Sequence, residues 1–147
     1  RWSSFNEMSM RYHVPPKIDY YIPASNKIRK QVGKPGAYSF EEIDDPELKT
    51  LTIRRMQEVI NHADMVYREL IELGIAKEVA RGVLPVSQYT EFIWTVNARS
   101  LINFLSLRNE QSAQYEIQEY AKVVEELFFK ILPITYESFI KNNREAI

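Results

Sequence analysis

The chain has 147 residues, of which 45% are hydrophobic and 27% are charged, and its formal net charge is -1. This length suits a single domain of residues 1–147 whose core buries roughly two-thirds of the unfolded surface, and the balanced charge argues against a non-specific nucleic-acid binder. The sequence contains no cysteine, which excludes disulfide bonds, thiolate metal sites and a cysteine nucleophile within these residues.

The first twelve residues alternate polar side chains with Phe, Met and Tyr. In an extended segment, side chains two residues apart share a face. One face then carries Glu7, Ser9 and Arg11. The opposite face carries Met8, Met10 and Tyr12. Two interpretations remain open: an amphipathic edge strand with a solvated face, or a binding face for an anion, because Arg contacts phosphate with two nitrogens and Ser donates to its oxygens.

Four elements are predicted in the first half of the chain. Residues 20–23 predict a short strand that ends at a proline, and residues 27–38 predict a basic loop containing glycine and proline. A long helix is predicted from the capping residue Asp45 to residue 73, with Gly74 ending it. At 1.5 Å per residue this helix is roughly 40 Å long, so one of its faces is expected to meet another helix or subunit. A short helix follows over residues 76–82.

The second half predicts one strand and three helices. Residues 88–96 alternate in the manner of a strand, and Asn97 can cap a helix over residues 98–107. A further helix is predicted over residues 113–132, and a short helix after Pro133. Together the elements predict an α+β fold: a helix-rich domain with long packing helices and a small antiparallel sheet.

Three arginines lie beside apolar runs between residues 80 and 109, a stretch without lysine. They are Arg81, Arg99 and Arg108. Each guanidinium can reach water, pair with a carboxylate such as Glu91 or Glu116, or hold an anionic ligand. On a helix, Arg99 and Asn103 share a face, whereas Arg108 falls about 180° away. Arg99 and Arg108 are therefore expected to serve different ligands, or different parts of one assembly.

Two separated blocks of the sequence resemble the flavin-dependent thymidylate synthases. The first block matches the signature of that family at Arg1, Ser4, Asn6, Glu7, Ser9, Arg11 and Tyr12. The second block runs from Ala80-Arg81-Gly82-Val83-Leu84-Pro85 through Thr95-Val96-Asn97-Ala98-Arg99-Ser100-Leu101 to Asn103, Arg108, Ala113-Gln114 and Glu116-Ile117. Arg1 corresponds to the third residue of the signature's opening triplet. The chain is therefore expected to be the C-terminal part of a subunit whose N-terminal segment is absent.

The resemblance implies a reductive methylation of dUMP to dTMP. The cofactors and co-substrates that it implies are FAD, NADPH and methylenetetrahydrofolate. It also implies a homotetramer whose active sites are shared between subunits. No glycine-rich dinucleotide fingerprint is present, which is compatible with the family because its members do not bind FAD through that fold.

The resemblance also implies roles for individual residues. It places at the dUMP site Glu7, Met8, Ser9, Met10, Arg11, Arg81 and Arg108. It places at the FAD site Arg1, Glu7, Asn97, Ala98, Arg99 and Asn103. Ser9 and Arg11 are expected to hold the phosphate. Arg108 is the implied catalytic residue, lying against the uracil ring and stabilising negative charge as the ring accepts a hydride.

Other features predict little chemistry. His13 and His62 lack partners at metal-ligand spacing, so no metal site is predicted, and Glu125 and Glu126 are expected to be solvated. The sequence shows neither a membrane-spanning run nor a secretory leader, so a cytoplasmic location without membrane or nucleic-acid partners is expected. Two alternative functions remain open: a non-catalytic helical oligomerisation module and a nucleotide-binding protein without flavin.

Overall fold

The structure is a computed structural model that describes residues 3–35 and 37–144. The chain divides into two compact units: a central unit of residues 7–91, and a terminal unit whose described part is residues 3–6 with 92–144. The described elements, in chain order, are β1 (Ser3–Glu7), β2 (Arg29–Lys34), β3 (Ala37–Glu42), α1 (Pro46–Glu72), α2 (Lys77–Ala80), β4 (Phe92–Val96), α3 (Ala98–Arg108), α4 (Tyr115–Ile131) and α5 (Pro133–Lys141). β1 pairs with β4, and β2 pairs with β3. The α+β prediction is confirmed.

Helix α1 forms the scaffold of the central unit and follows the predicted pattern closely. The Asp45 carboxylate accepts hydrogen bonds from the backbone N–H groups of Glu47 and Leu48, at 2.9 and 3.0 Å, and so caps the helix. Ile60 and Tyr67, seven residues apart, are buried. The apolar stripe therefore faces the interior of the unit, whereas Val59 on the neighbouring stripe is exposed.

The prediction of a basic loop over residues 27–38 is wrong, because most of this segment belongs to the antiparallel β2–β3 hairpin. In its register Arg29 lies opposite Glu42 and Lys30 lies opposite Glu41, so opposite charges face each other across the strands. Gly33 has a φ of 98°, and a Cβ added there would lie 2.5 Å from the carbonyl oxygen of Ala37. Only glycine fits this bend without strain.

Two other strand predictions are too long. The segment 20–23 forms a single antiparallel bridge between Tyr20 and Gln88 instead of a strand. The segment 88–96 is a strand only from Phe92 to Val96, because the residues before it bond to loops of the central unit. β-branched and aromatic residues raised strand propensity at both places, but ladder partners exist only for part of each segment.

The terminal unit packs its three helices around one apolar cluster. Buried residues of this cluster are Leu105, Ala121, Phe128 and Phe139, and the half-buried Leu101, Ile102, Phe104, Val124 and Tyr136 pack against them. The helices begin and end near the predicted positions: Asn97 caps α3 by accepting from the Ser100 N–H at 2.9 Å, and Pro133 separates α4 from α5.

Glu125 on α4 is buried, so the expectation of a solvated carboxylate is wrong at this position. Its side chain is 8% exposed and accepts hydrogen bonds from Asn109 Nδ2, Arg144 Nη2 and Tyr136 Oη, the last at 3.0 Å. Burial alone raises the pKa of Glu125, but the hydrogen bonds from Arg144 and Asn109 outweigh burial and hold that pKa below its ordinary value of 4.5. The ionised form therefore stabilises the fold.

None of the helices within the described residues is long and apolar enough to cross a membrane.

The substitution Glu125→Gln tests this buried carboxylate. At pH 7 we expect the variant to lose about 1–3 kcal/mol of unfolding free energy, because three donors lose a charged acceptor. Since the folded-state pKa is depressed, the stabilisation is present above the ordinary pKa and is lost as the pH falls through the folded value. Urea unfolding between pH 7 and pH 3 should therefore give a steeper loss of stability in the wild type than in the variant. Glu126→Gln, on the exposed neighbour, is the control; parallel curves for Glu125→Gln and the wild type would contradict the assignment.

Candidate functional site

A cavity of about 710 Å³ lies within the central unit. Three parts of the chain make its wall: residues between 7 and 19, a group from Glu78 to Gly82 on and after α2, and residues 88–91. Four of the residues that the sequence predicts for dUMP binding in the first block line it, as does one from the second block. They are Glu7, Met8, Ser9, Met10 and Arg81.

Hydrogen bonds between distant segments build this wall. The Met8 N–H donates to the Glu91 carbonyl at 2.9 Å, and the Thr90 hydroxyl donates to Glu7 Oε1 at 2.8 Å. A further backbone hydrogen bond joins another pair of distant residues: the Tyr89 N–H donates to the Asp19 carbonyl at 2.8 Å. These bonds satisfy backbone groups that would otherwise be left unpaired and align three segments around one space.

The alternation of the first block suggested an extended segment, but the block is not extended throughout. β1 ends at Glu7, and the chain then turns, because the backbone N–H groups of Tyr12 and His13 both donate to the Ser9 carbonyl at 3.1 Å. The predicted apolar face is correspondingly not packed within the described residues, with Tyr12 77% exposed. Ser9 and Met10 nevertheless line the cavity, and Gln88 Nε2 lies 3.2 Å from Met10 Sδ.

Arg11 does not line the cavity directly; its guanidinium is bound to an acidic residue of the wall. Arg11 Nη2 lies 3.0 Å from Glu78 Oε2, and both side chains are about half exposed. On the same helix, Lys77 Nζ donates to the Tyr12 carbonyl at 3.0 Å. Residues 11 and 12 are therefore fastened to α2, and the Arg11 guanidinium keeps other N–H donors for a further partner.

The charges of the wall are paired only in part, since Glu7 and Glu91 line it without an ion pair among the described residues. Lys17 pairs with Asp19 at 2.5 Å, Glu78 pairs with Arg11, and Thr90 donates to Glu7. Arg81 is exposed and, within the part of the chain that the structure describes, forms no ion pair with a carboxylate. The capacity of this cavity to bind an anion therefore centres on Arg81, with Arg11 beside it.

Helix α3 carries the predicted residues of the terminal unit. Asn97, Arg99 and Asn103 are exposed at its N-terminal half, Ala98 is half-buried, and Arg108 is exposed in its last turn. Because the helix persists over its 11 residues, Arg99 and Arg108 lie roughly 13 Å apart along its axis. Among the described residues no carboxylate forms an ion pair with either arginine.

Arg1 lies outside the described residues. The sequence analysis did not predict the other lining residues of the cavity: His13, residues 15–19, Glu78, Gly82 and residues 88–91. The strands predicted over residues 20–23 and 88–96 were a signal that both regions pair, but they did not indicate the partner of either one. Within the described residues, no group of three or more His, Asp or Glu side chains is placed to hold a metal ion.

Comparison with known protein families and sequences gives a consistent result. The model of the family described as thymidylate synthase complementing protein matches residues 1–134. A flavin-dependent thymidylate synthase from Thermosipho africanus is 45% identical over 96% of this chain and 60% of its own length. The corresponding protein from Thermosipho melanesiensis is 46% identical over 97% of this chain and 61% of its own. The chain thus spans about three fifths of the length of these curated relatives.

Solved structures resemble the chain along its whole length. A UMP/dUMP methylase, PolB from Streptomyces cacaoi bound with 5-Br UMP, has a TM-score of 0.86 at 34% identity, covering 99% of this chain and 66% of that one. The same methylase bound with 5-Br dUMP has a TM-score of 0.82 at 35% identity, covering 100% of this chain and 65% of that one. The family match, the sequence relatives and the shared fold agree, and this chain belongs to the thymidylate synthase complementing protein family, that of the flavin-dependent thymidylate synthases.

Proposed function

We propose that this chain forms part of a flavin-dependent thymidylate synthase, which converts dUMP into dTMP. The observation that carries the proposal is the meeting of two sequence blocks at one cavity: Glu7 and Ser9 come from the first block and Arg81 from the second. PolB, which is similar in fold, is described as a UMP/dUMP methylase and binds brominated analogues of these nucleotides.

We assign the phosphate of dUMP to Arg81, Ser9 and Arg11. Arg81 supplies a guanidinium without a carboxylate partner among the described residues, and Ser9 supplies a hydroxyl donor at the same wall. Arg11 is held beside the cavity by Glu78 through one nitrogen, so its remaining N–H groups can donate to a phosphate oxygen.

We assign the nucleoside to the adjoining residues Glu7, Met8 and Met10. Thr90 fixes the Glu7 carboxylate through Oε1, which leaves Oε2 as an acceptor for a hydroxyl or N–H group. Met8 and Met10 supply adaptable apolar surface at the same wall, which suits a flat pyrimidine ring.

The residues proposed for FAD fit an anionic group. Asn97 caps α3, whose N-terminal end carries partial positive charge. Arg99 and Asn103 are exposed there, and no carboxylate within the described residues neutralises Arg99. With Ala98, these residues would hold FAD, and Arg1 and Glu7 are proposed beside it from the family resemblance. The chemistry that bound FAD supplies is hydride transfer from NADPH towards the pyrimidine.

We propose Arg108 as the catalytic residue. Its planar guanidinium can donate two hydrogen bonds to a uracil carbonyl and so stabilise negative charge that develops on the ring. In the last turn of α3 a cation also complements the helix dipole; that stabilising effect alone would not require arginine rather than lysine.

We further propose that the protein uses methylenetetrahydrofolate as the carbon donor and acts as a homotetramer in which different subunits contribute to one active site. Family membership supports both proposals. A cytoplasmic location stays a prediction from composition.

Activity of the full-length protein tests the proposed function directly. We expect purified protein to be yellow or to take up FAD with the visible spectrum of a flavoprotein. We also expect it to convert dUMP into dTMP when NADPH and methylenetetrahydrofolate are added. Colourless protein that cannot take up FAD would favour the oligomerisation module, whereas dUMP binding without FAD uptake or product would favour the flavin-free nucleotide binder.

Arg81→Ala tests the phosphate assignment. Loss of a charged donor should weaken dUMP binding by about 1.5–3 kcal/mol, which is roughly 10- to 100-fold in Kd. Deoxyuridine, which has no phosphate, should bind equally to variant and wild type. Titration calorimetry with both ligands measures the two effects. Lys17→Ala is the matched control, since Lys17 lines the same cavity but is paired with Asp19. An equal loss for deoxyuridine would contradict the assignment.

Arg108→Lys tests the catalytic assignment. Lysine keeps the charge and suits the helix end, but it loses the planar pair of donors. We expect the activation barrier to rise by roughly 3–4 kcal/mol, so that kcat falls. KM for dUMP should change little, because the lost interaction is made only in the transition state. Arg54→Lys is the control, because Arg54 lies on the exposed face of α1. A variant of Arg108 with the wild-type kcat would exclude this role.

A further inference from the structure

Glu125 occupies a position from which it can act on the end of α3. Asn109 is the residue that follows Arg108 and ends the helix, with φ of -94° and ψ of 21°. Its backbone N–H donates to the carbonyl of Leu105, a fully buried residue, at 3.0 Å, and its side-chain amide donates to Glu125 Oε2. Asn109 is therefore held at both its backbone and its side chain.

The Glu125 carboxylate is itself fixed from two other directions. Tyr136 of α5 donates to Oε1 at 3.0 Å, and Arg144, which follows α5, donates to Oε2. The Arg144 guanidinium also lies over the Phe139 ring, 5.2 Å from its centroid. Arg144 and Asn109 donate to the same oxygen, Oε2, so this oxygen stays fixed beside Asn109 and is a rigid anchor for it.

Arg108, by contrast, has no such anchor of its own. Its side chain is exposed and forms no ion pair with a carboxylate of residues 3–35 or 37–144. The backbone of the last turn of α3 consequently sets the point and direction from which this side chain leaves the helix. The last carbonyls of a helix have no partner within the helix, and such ends open locally. At this end the Asn109 side chain ties the chain to Glu125.

We infer that Glu125 is a positioning residue for Arg108, because the buried carboxylate holds Asn109 and thereby fixes the last helical turn that carries the arginine. This inference rests on the proposed catalytic role of Arg108. Glu125 contacts neither substrate nor cofactor in this assignment; it acts through Asn109.

Asn109→Ala in the full-length protein tests the inference with little risk to folding. We expect kcat for dTMP formation to fall about 10- to 100-fold, because misplacement of a catalytic group by about 1 Å can cost roughly 100-fold, while KM for dUMP changes less than about twofold. Glu125→Leu should give the same split where it folds. Tyr136→Phe is the matched control: it removes one hydrogen bond from the same carboxylate but leaves Asn109 attached, and it should lower the melting temperature without the fall in kcat.

Two further measurements separate positioning from general destabilisation. In the Arg108→Lys background, adding Asn109→Ala should lower kcat by less than about twofold, because the residue through which it acts has already lost its function. Amide hydrogen exchange should be faster at residues 108 and 109 in Asn109→Ala and unchanged there in Tyr136→Phe.

Equal kinetic effects of Asn109→Ala and Tyr136→Phe, or a full additive loss in the double variant, would overturn the inference. An inactive wild type would overturn the proposed function and this inference together, whereas active wild type with either of those results overturns the inference alone.

Discussion

The candidate site depends on hydrogen bonds between two segments that are distant in the sequence. Glu7 and Met8, at the end of β1, bond to Thr90 and Glu91, which precede β4. Thr90 and Glu7 lie 83 positions apart in the sequence, and the adjacent backbone bond from Met8 to Glu91 fixes their register. Closing so long a segment costs conformational entropy, although this cost grows slowly with length. Burial along α1, at Ile60 and Tyr67, contributes apolar stabilisation within the closed segment. The cavity is a consequence of this closure, since its wall includes the residues that the bonds join.

A chain with a net charge of -1 can still offer an anion a local site, because pairing removes most of the competing charge. In the central unit, two of the four carboxylates that line the cavity are paired with cations: Asp19 with Lys17, and Glu78 with Arg11. Arg81 is left as the cation without an ion-pair partner among the described residues of that wall. Partial exposure keeps these pairs weak, so an incoming phosphate can compete for Arg11 at small cost.

Local rules predicted the helices well and the rest less well. Capping by Asp45 and Asn97 and the apolar period of α1 are set within a few residues, so the pattern carries them. The β2–β3 hairpin is mostly exposed, and the facing of its opposite charges appears only once the register is known. Glu125 is buried because donors arrive from α3, α5 and the segment after it, which no local pattern shows. At the site, the family motifs predicted both Ser9 and Arg81, whereas residues 15–19 belong to no motif and were not predicted.

Helix α3 places opposite demands on its two ends. Its N-terminal end favours an anion through the helix dipole and Arg99, whereas its C-terminal end favours the cation Arg108. A rigid helix keeps these groups at a constant separation, so two ligands that each contact one end are held at a constant spacing along it. That constancy is useful only if neither end frays. Asn97 secures the first turn through Ser100, and Asn109 secures the last turn through Glu125. Glu125, a buried carboxylate of the terminal unit, thus secures the C-terminal end of α3, as an ordinary cap secures the N-terminal end.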